Sequence, residues 1–236
     1  MLMYRVFAKP QKASIYFRQI IVEIDSIGIS SLTLVAIISV FMGGIIAIQT
    51  ANSIDSPLVP LYAVGFTTRE SIMLEFSPTV VCLILAGKVV SNIASEIGAM
   101  RITAQIDALE IMGINSASYL IFPKVIGAII IFPVLIALSM VLGVAGGYIM
   151  GVGSGACTAY QYIYGIQAFF EPWKLYYSFT KVIVFAYIIT SVSSYYGYYT
   201  QGGALEVGRS STNAVVYSSI LILLFGLILT NIFLNR

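Results

Sequence analysis

The chain has 236 residues, 59% of them hydrophobic and only 9% charged, with a mean hydropathy of +0.96, a balance that excludes a soluble domain of this size. Its formal net charge is +2 and its twelve basic residues are scattered along the chain, which excludes a basic strip for nucleic acid. Histidine is absent and the two cysteines, Cys82 and Cys157, are far apart, so the usual general base, metal ligand and disulfide are all unexpected.

The opening MLMYRVFAKPQKAS lacks the basic-then-apolar order of a cleaved signal, and the mature chain is expected to begin near Met1. Over residues 14–28, Tyr16, Phe17, Ile20, Ile21, Ile24 and Ile27 recur at helical spacing against Arg18, Gln19, Glu23, Asp25 and Ser26. That pattern predicts an interfacial helix lying along a membrane. A first span is expected over 29–51, long enough for a hydrocarbon core of about 30 Å. Asp55, Pro57 and Pro60 mark the connection through Arg69 as an outside loop. A second span, 72–90, is apolar except for Glu75 near its start and Lys88 near its end.

The stretch from Ser91 to Lys124 is neither apolar enough for lipid nor loose enough for a linker. It predicts a helix over about 93–112 in which Glu96, Thr103, Asp107 and Glu110 share one narrow stripe. Ile93, Ile97, Ala104 and Ile111 flank the stripe on one side, Ile102, Ile106 and Leu109 on the other. Such a helix suits a groove in a partner protein, and equally an amphipathic connector lying on its own protein or on the bilayer.

The third span, 120–151, is longer than a perpendicular crossing needs, with Pro123 near its start and a kink expected at Pro133. Gly143, Gly147 and Gly151 repeat every fourth residue, either a face for close helix approach, at a dimer contact or within one subunit, or a loosening before the next loop. The loop 152–175, with Glu171-Pro172-Trp173, has room for a short surface helix anchored by the tryptophan. A fourth span, 176–199, holds Lys181 in its first turns and ends in Tyr195, Tyr196, Tyr198 and Tyr199, an aromatic belt. A loop over 200–213 carries Glu206 and Arg209 and leads to a fifth span, 215–233. The fold class is therefore an all-α membrane protein: five transmembrane helices preceded by an interfacial helix, with a cytoplasmic helix between spans two and three, in a single domain without internal repeats.

With the N-terminus inside, Arg5, Lys9, Lys12, Arg18, Lys88, Arg101, Lys124 and Arg209 fall on the inner side, and Arg69, Lys174, Lys181 and Arg236 on the outer. The excess inside predicts a cytoplasmic N-terminus and an outward C-terminus. No catalytic site is expected: Gly153-Ser154-Gly155 has no histidine to serve it, and no phosphate-cradling Gly-x-x-x-x-Gly-Lys-Ser/Thr run occurs. Glu75 and Lys181 stand out instead, because ionisable groups at membrane depth are costly unless paired or wet. Opposite charges at similar depth predict a shared site, either a lipid-headgroup spot or a purely structural ion pair.

The run ASEIGAMRITAQIDALEIMGI resembles the corresponding helix of the permease family called MlaE or YrbE, as do Glu75-Phe-Ser-Pro, Leu85-Ala-Gly-Lys, Phe122-Pro-Lys124, Gly202-Gly203 and the run from Ser211. The resemblance covers nearly the whole chain. It implies the membrane subunit of an ABC transporter in a bacterial inner membrane, a homodimer moving phospholipid with an MCE-domain protein. ATP and magnesium would be bound by a partner ATPase, and no cofactor by this chain. The resemblance places Glu96, Arg101, Thr103, Asp107 and Glu110 on the coupling helix that docks the ATPase, and Glu75 and Lys181 near the lipid pocket. Where the family often has Arg before that Glu, this chain has Leu74, with Arg69 as the nearest basic residue to compensate. Readings of another class are a secondary transporter needing no ATPase, which predicts inverted repeats and broken central helices, and a membrane scaffold that transports nothing.

Overall fold

The computed structural model describes residues 2–7, 13–54 and 60–234. Asp55 and Pro57 of the expected loop, and Lys9, Lys12 and Arg236 of the charge count, lie outside the described residues. The elements are α1 (Leu2–Phe7), α2 (Ala13–Asn52), α3 (Ala63–Ser71), a π-helical stretch (Ile72–Val81), α4 (Cys82–Ile102), α5 (Gln105–Ile111), α6 (Ser116–Gly153), α7 (Ala159–Gln167), α8 (Pro172–Tyr198) and α9 (Ala204–Leu234). Among the described residues there is no strand, and five helical runs are long and apolar enough to cross a membrane.

Several boundaries differ from the sequence expectation. The interfacial helix 14–28 and the span 29–51 are one helix, α2, because no proline or paired glycine interrupts the chain where its periodicity changes. The loop expected to reach Arg69 ends earlier, since helix begins at Ala63 and continues to Ile102. α6 runs unbroken through Pro123 and Pro133, and α9 absorbs Glu206 and Arg209, which pair at 2.7 Å. α7 is the short helix expected in the connection over 152–175. Thr158 caps it: its hydroxyl accepts from the Gln161 amide while the Gln161 side chain accepts from the Thr158 amide.

The helix expected over 93–112 is not continuous. Its first part is the end of α4, and the chain then turns at Ala104, which adopts a left-handed conformation with φ 56°. Thr103 contributes to the break by turning its hydroxyl back to the Ala99 carbonyl. α5 closes on Gly113, whose φ of 77° allows the paired bonds Gly113 N–H to Glu110 O and Ile114 N–H to Leu109 O.

The helices pack as two compact units. The first comprises residues 1–30, 82–132 and 183–236. Within it α4 lies along α9, bridged by Ser91 and Ser211 at 2.9 Å, and Gly98 admits Val207. The second comprises residues 31–81 and 133–182. Here the glycine face of α6 is used inside the chain: Gly143 admits Ile72, Gly147 faces Tyr162 and Thr68, and Gly151 faces Ala47. α3 and α7 cross closely, Gly65 against the Tyr162 backbone and Gly165 against that of Tyr62. Tyr162 is fully buried, and that burial pushes its phenol well above the ordinary range.

Candidate functional site

The π-helical stretch explains the site it carries. Pro78 has no N–H, so it cannot satisfy the carbonyl of Leu74, four residues back, or that of Met73, five back. α8 supplies donors to both: the Ser178 hydroxyl donates to Met73 O at 2.5 Å, and the Lys181 ammonium lies 3.5 Å from Leu74 O. The same ammonium reaches both carboxylate oxygens of Glu75 at 3.0 Å and sits 5.3 Å from the centre of the Tyr177 ring. Thr79 donates to Glu75 from one turn further on, at 2.9 Å.

The structure therefore joins Glu75 and Lys181 and buries them unequally. The Lys181 side chain is 1% exposed and that of Glu75 50%. The cation is the inner member of the pair and the carboxylate the outer one. Glu75 also lies more than three helical turns from Ala63, deeper in its run than the single turn expected. Leu74 contributes its carbonyl rather than a charge.

Arg69 is not available to compensate for Leu74. Only 2% exposed, its guanidinium donates to the carbonyls of Ile166, Ala168 and Phe169 and to Glu70, and it lies over the rings of Phe66 and Phe170. It fastens α3 to the segment after α7, where Phe169 takes a left-handed φ of 53°. Lys174 meets the other oxygen of Glu70 at 2.8 Å.

The acidic stripe expected for docking is divided among partners within the chain. Asp107 accepts from Arg101 at 2.6 Å. Glu110 accepts from Ser116 at 2.9 Å and Tyr198 at 3.0 Å, with Arg5 at 3.7 Å. Those two hydroxyls hold the Glu110 carboxyl below the usual carboxylate range. Glu96 turns elsewhere, to Lys124 at 2.7 Å, and Thr103 bonds to its own backbone. Exposed Ile111 and Met112 leave an apolar tip on α5.

Sequence reasoning missed the second buried lysine. Lys124 is 3% exposed and held by Glu23 and Glu96, each at 2.7 Å. The argument that singled out Lys181, an ionisable group in an apolar helix, applies equally to Lys124 in α6 and would have found it. Its partners, on α2 and α4, could not be read from spacing. Among the described residues no group of His, Cys, Asp and Glu is placed to hold a metal.

Five helices long and apolar enough to cross a membrane, two of them joined by a lysine–glutamate pair whose lysine is buried, define a multi-pass membrane protein with polar chemistry inside its spans. The chain belongs to the MlaE permease family, whose profile, described as Permease MlaE, matches residues 20–232. It is 38% identical to a probable ABC transporter permease protein of Rickettsia bellii, covering 93% of this chain and 84% of that one. It is 26% identical to the intermembrane phospholipid transport system permease protein MlaE of Haemophilus influenzae, covering 98% and 88%. To the chloroplastic protein TRIGALACTOSYLDIACYLGLYCEROL 1 of Arabidopsis thaliana it is 28% identical, covering 94% and 63%.

Proposed function

We propose that this chain is the permease subunit of an ABC transporter that moves phospholipid between the inner and outer membranes of a bacterium, working as a homodimer with an ATPase and an MCE-domain protein. ATP and magnesium belong to the ATPase, since no phosphate-cradling run occurs in these 236 residues. The N-terminus is cytoplasmic and the C-terminus periplasmic, an arrangement that five crossings and the basic-residue bias favour.

The observation that carries the reading is the Lys181–Glu75 pair. A buried ammonium whose counter-ion is half exposed is suited to partner exchange: a lipid phosphate replaces Glu75 on Lys181, and the displaced carboxylate takes a hydrogen-bond donor or water. Similarity over 98% of the chain to a protein named for intermembrane phospholipid transport supports phospholipid as the ligand.

The test is reconstitution of the chain in phospholipid vesicles with its co-purifying ATPase, following a labelled phospholipid. ATP-dependent movement that stops when the ATPase is omitted is expected. Movement driven by an ion gradient without ATP would assign the chain to secondary transport, and no movement under either condition would leave it a scaffold.

A further inference from the structure

The first unit contains a cavity of about 470 Å³ bordered by the start of α2, the end of α4 and the start of α6. Its polar wall is Arg18, Gln19, Glu23, Glu96 and Lys124, and its apolar wall includes Val22 and Leu120. Gly127 lets α2 come close enough to place Glu23 here, a Cβ on it standing 3.1 Å from that of Glu23. The Tyr16 hydroxyl, 2.7 Å from that of Ser118, pins the same two helices about two turns away.

The charges are unevenly satisfied. One buried ammonium, Lys124, is shared between two carboxylates, so the inner wall carries one negative charge in excess. Glu96 is 51% exposed and keeps a side open to the cavity. The Gln19 amide oxygen is buried without a hydrogen-bond partner, an acceptor lacking a donor. Arg18, the remaining cation of the wall, is exposed. An anionic, acceptor-rich interior with a cation outside it complements a zwitterion that leads with a primary ammonium and trails a phosphate.

We propose that this pocket binds the headgroup of an aminophospholipid, its ammonium among Glu23, Glu96 and the Gln19 oxygen and its phosphate at Arg18. The choice of a phospholipid rests on the function proposed above; the preference for a primary ammonium rests on the pocket. A quaternary ammonium has no N–H to give Gln19, so phosphatidylcholine is disfavoured, as is the anionic phosphatidylglycerol. The site shares no residue with the Lys181–Glu75 pair.

The experiment uses the full chain, purified from vesicles of phosphatidylethanolamine, phosphatidylcholine and phosphatidylglycerol in equal parts, with each retained lipid quantified. Retained phosphatidylethanolamine should exceed phosphatidylcholine about tenfold, the worth of one charge-assisted hydrogen bond. Glu96→Gln and Gln19→Leu should each remove most of that preference, and Arg209→Gln, at an exposed position outside the pocket, should leave it in place. Soluble phosphoethanolamine should not displace the lipid; displacement would make the ligand a free metabolite. Equal retention of the lipids, a preference that survives both substitutions, or one lost with Arg209→Gln would overturn the proposal. Glu96→Gln, isosteric at a half-exposed position, carries the test if Gln19→Leu does not fold. Binding is read without ATP or an ATPase, so failure of the chain to move lipid does not affect this result.

Discussion

Arg69 and Lys181 are both buried cations, and what surrounds each separates a fastening from a proposed site. Arg69 spends its donors on main-chain carbonyls that have no other described partner, and Glu70 keeps Lys174 if Arg69 is removed. Arg69→Ala should therefore lower stability by about 3 kcal/mol through orphaned carbonyls and a cavity, and Arg69→Lys should recover only part of it because an ammonium lacks the planar fork; thermal unfolding of the purified chain measures both. Glu110 makes a pH prediction. Its carboxyl is held below its ordinary 4.5 by Ser116 and Tyr198, so its contribution is complete above 4.5 and disappears as the pH falls through the lower folded value. From about pH 5 to about pH 3 the wild type should lose more stability than Glu110→Gln, and parallel curves would contradict the assignment. The pairing of Glu75 with Lys181 was legible in the sequence because two unlike charges interrupt two apolar runs at comparable positions. The burial of Arg69 was not, because it depends on α3 beginning at Ala63 and on carbonyls about a hundred positions away.

The five spans were legible as elements because apolar length alone reports them, whereas their joins depend on tertiary contacts. α5 illustrates this: its separation from α4 rests on one left-handed alanine and on Arg101 reaching across the turn to Asp107, neither of which alters the hydrophobic period. Ala104→Gly should stabilise the chain by up to about 1 kcal/mol, since a left-handed residue with a Cβ is strained, and Ala104→Val should destabilise it; unfolding midpoints decide. For coupling, Asp107→Lys is the sharper charge reversal, because Glu110 also holds Tyr198 and Ser116 and its loss disturbs the fold. If α5 docks an ATPase, Asp107→Lys should release it from a folded permease, and full retention on co-purification would remove Asp107 from the contact. The glycine face of α6 now has a definite use. A side chain at Gly147 would strike the Tyr162 hydroxyl and Thr68 within the same unit, so Gly147→Leu should abolish folding rather than separate folded dimers. Recovery of a folded monomer would contradict this.

At the level of the molecule, membership of the MlaE permease family and five apolar crossings set the class, and the ion pairs set the chemistry. A purely structural Lys181–Glu75 pair and a headgroup site predict opposite outcomes when both charges are removed. For a structural pair, each single change leaves a buried charge uncompensated at a cost of about 3 kcal/mol, and the double change restores what was lost. For a site, function follows Lys181 alone. The most direct measurement is ATP-driven phospholipid movement, alongside thermal stability and co-purified phospholipid, for the assembled transporter carrying Lys181→Ala, Glu75→Ala or both. The account predicts that Lys181→Ala and the double variant retain less phospholipid than the wild type and move none while the double variant remains stably folded. A double variant that regains transport together with stability would show that the pair only holds the helices together.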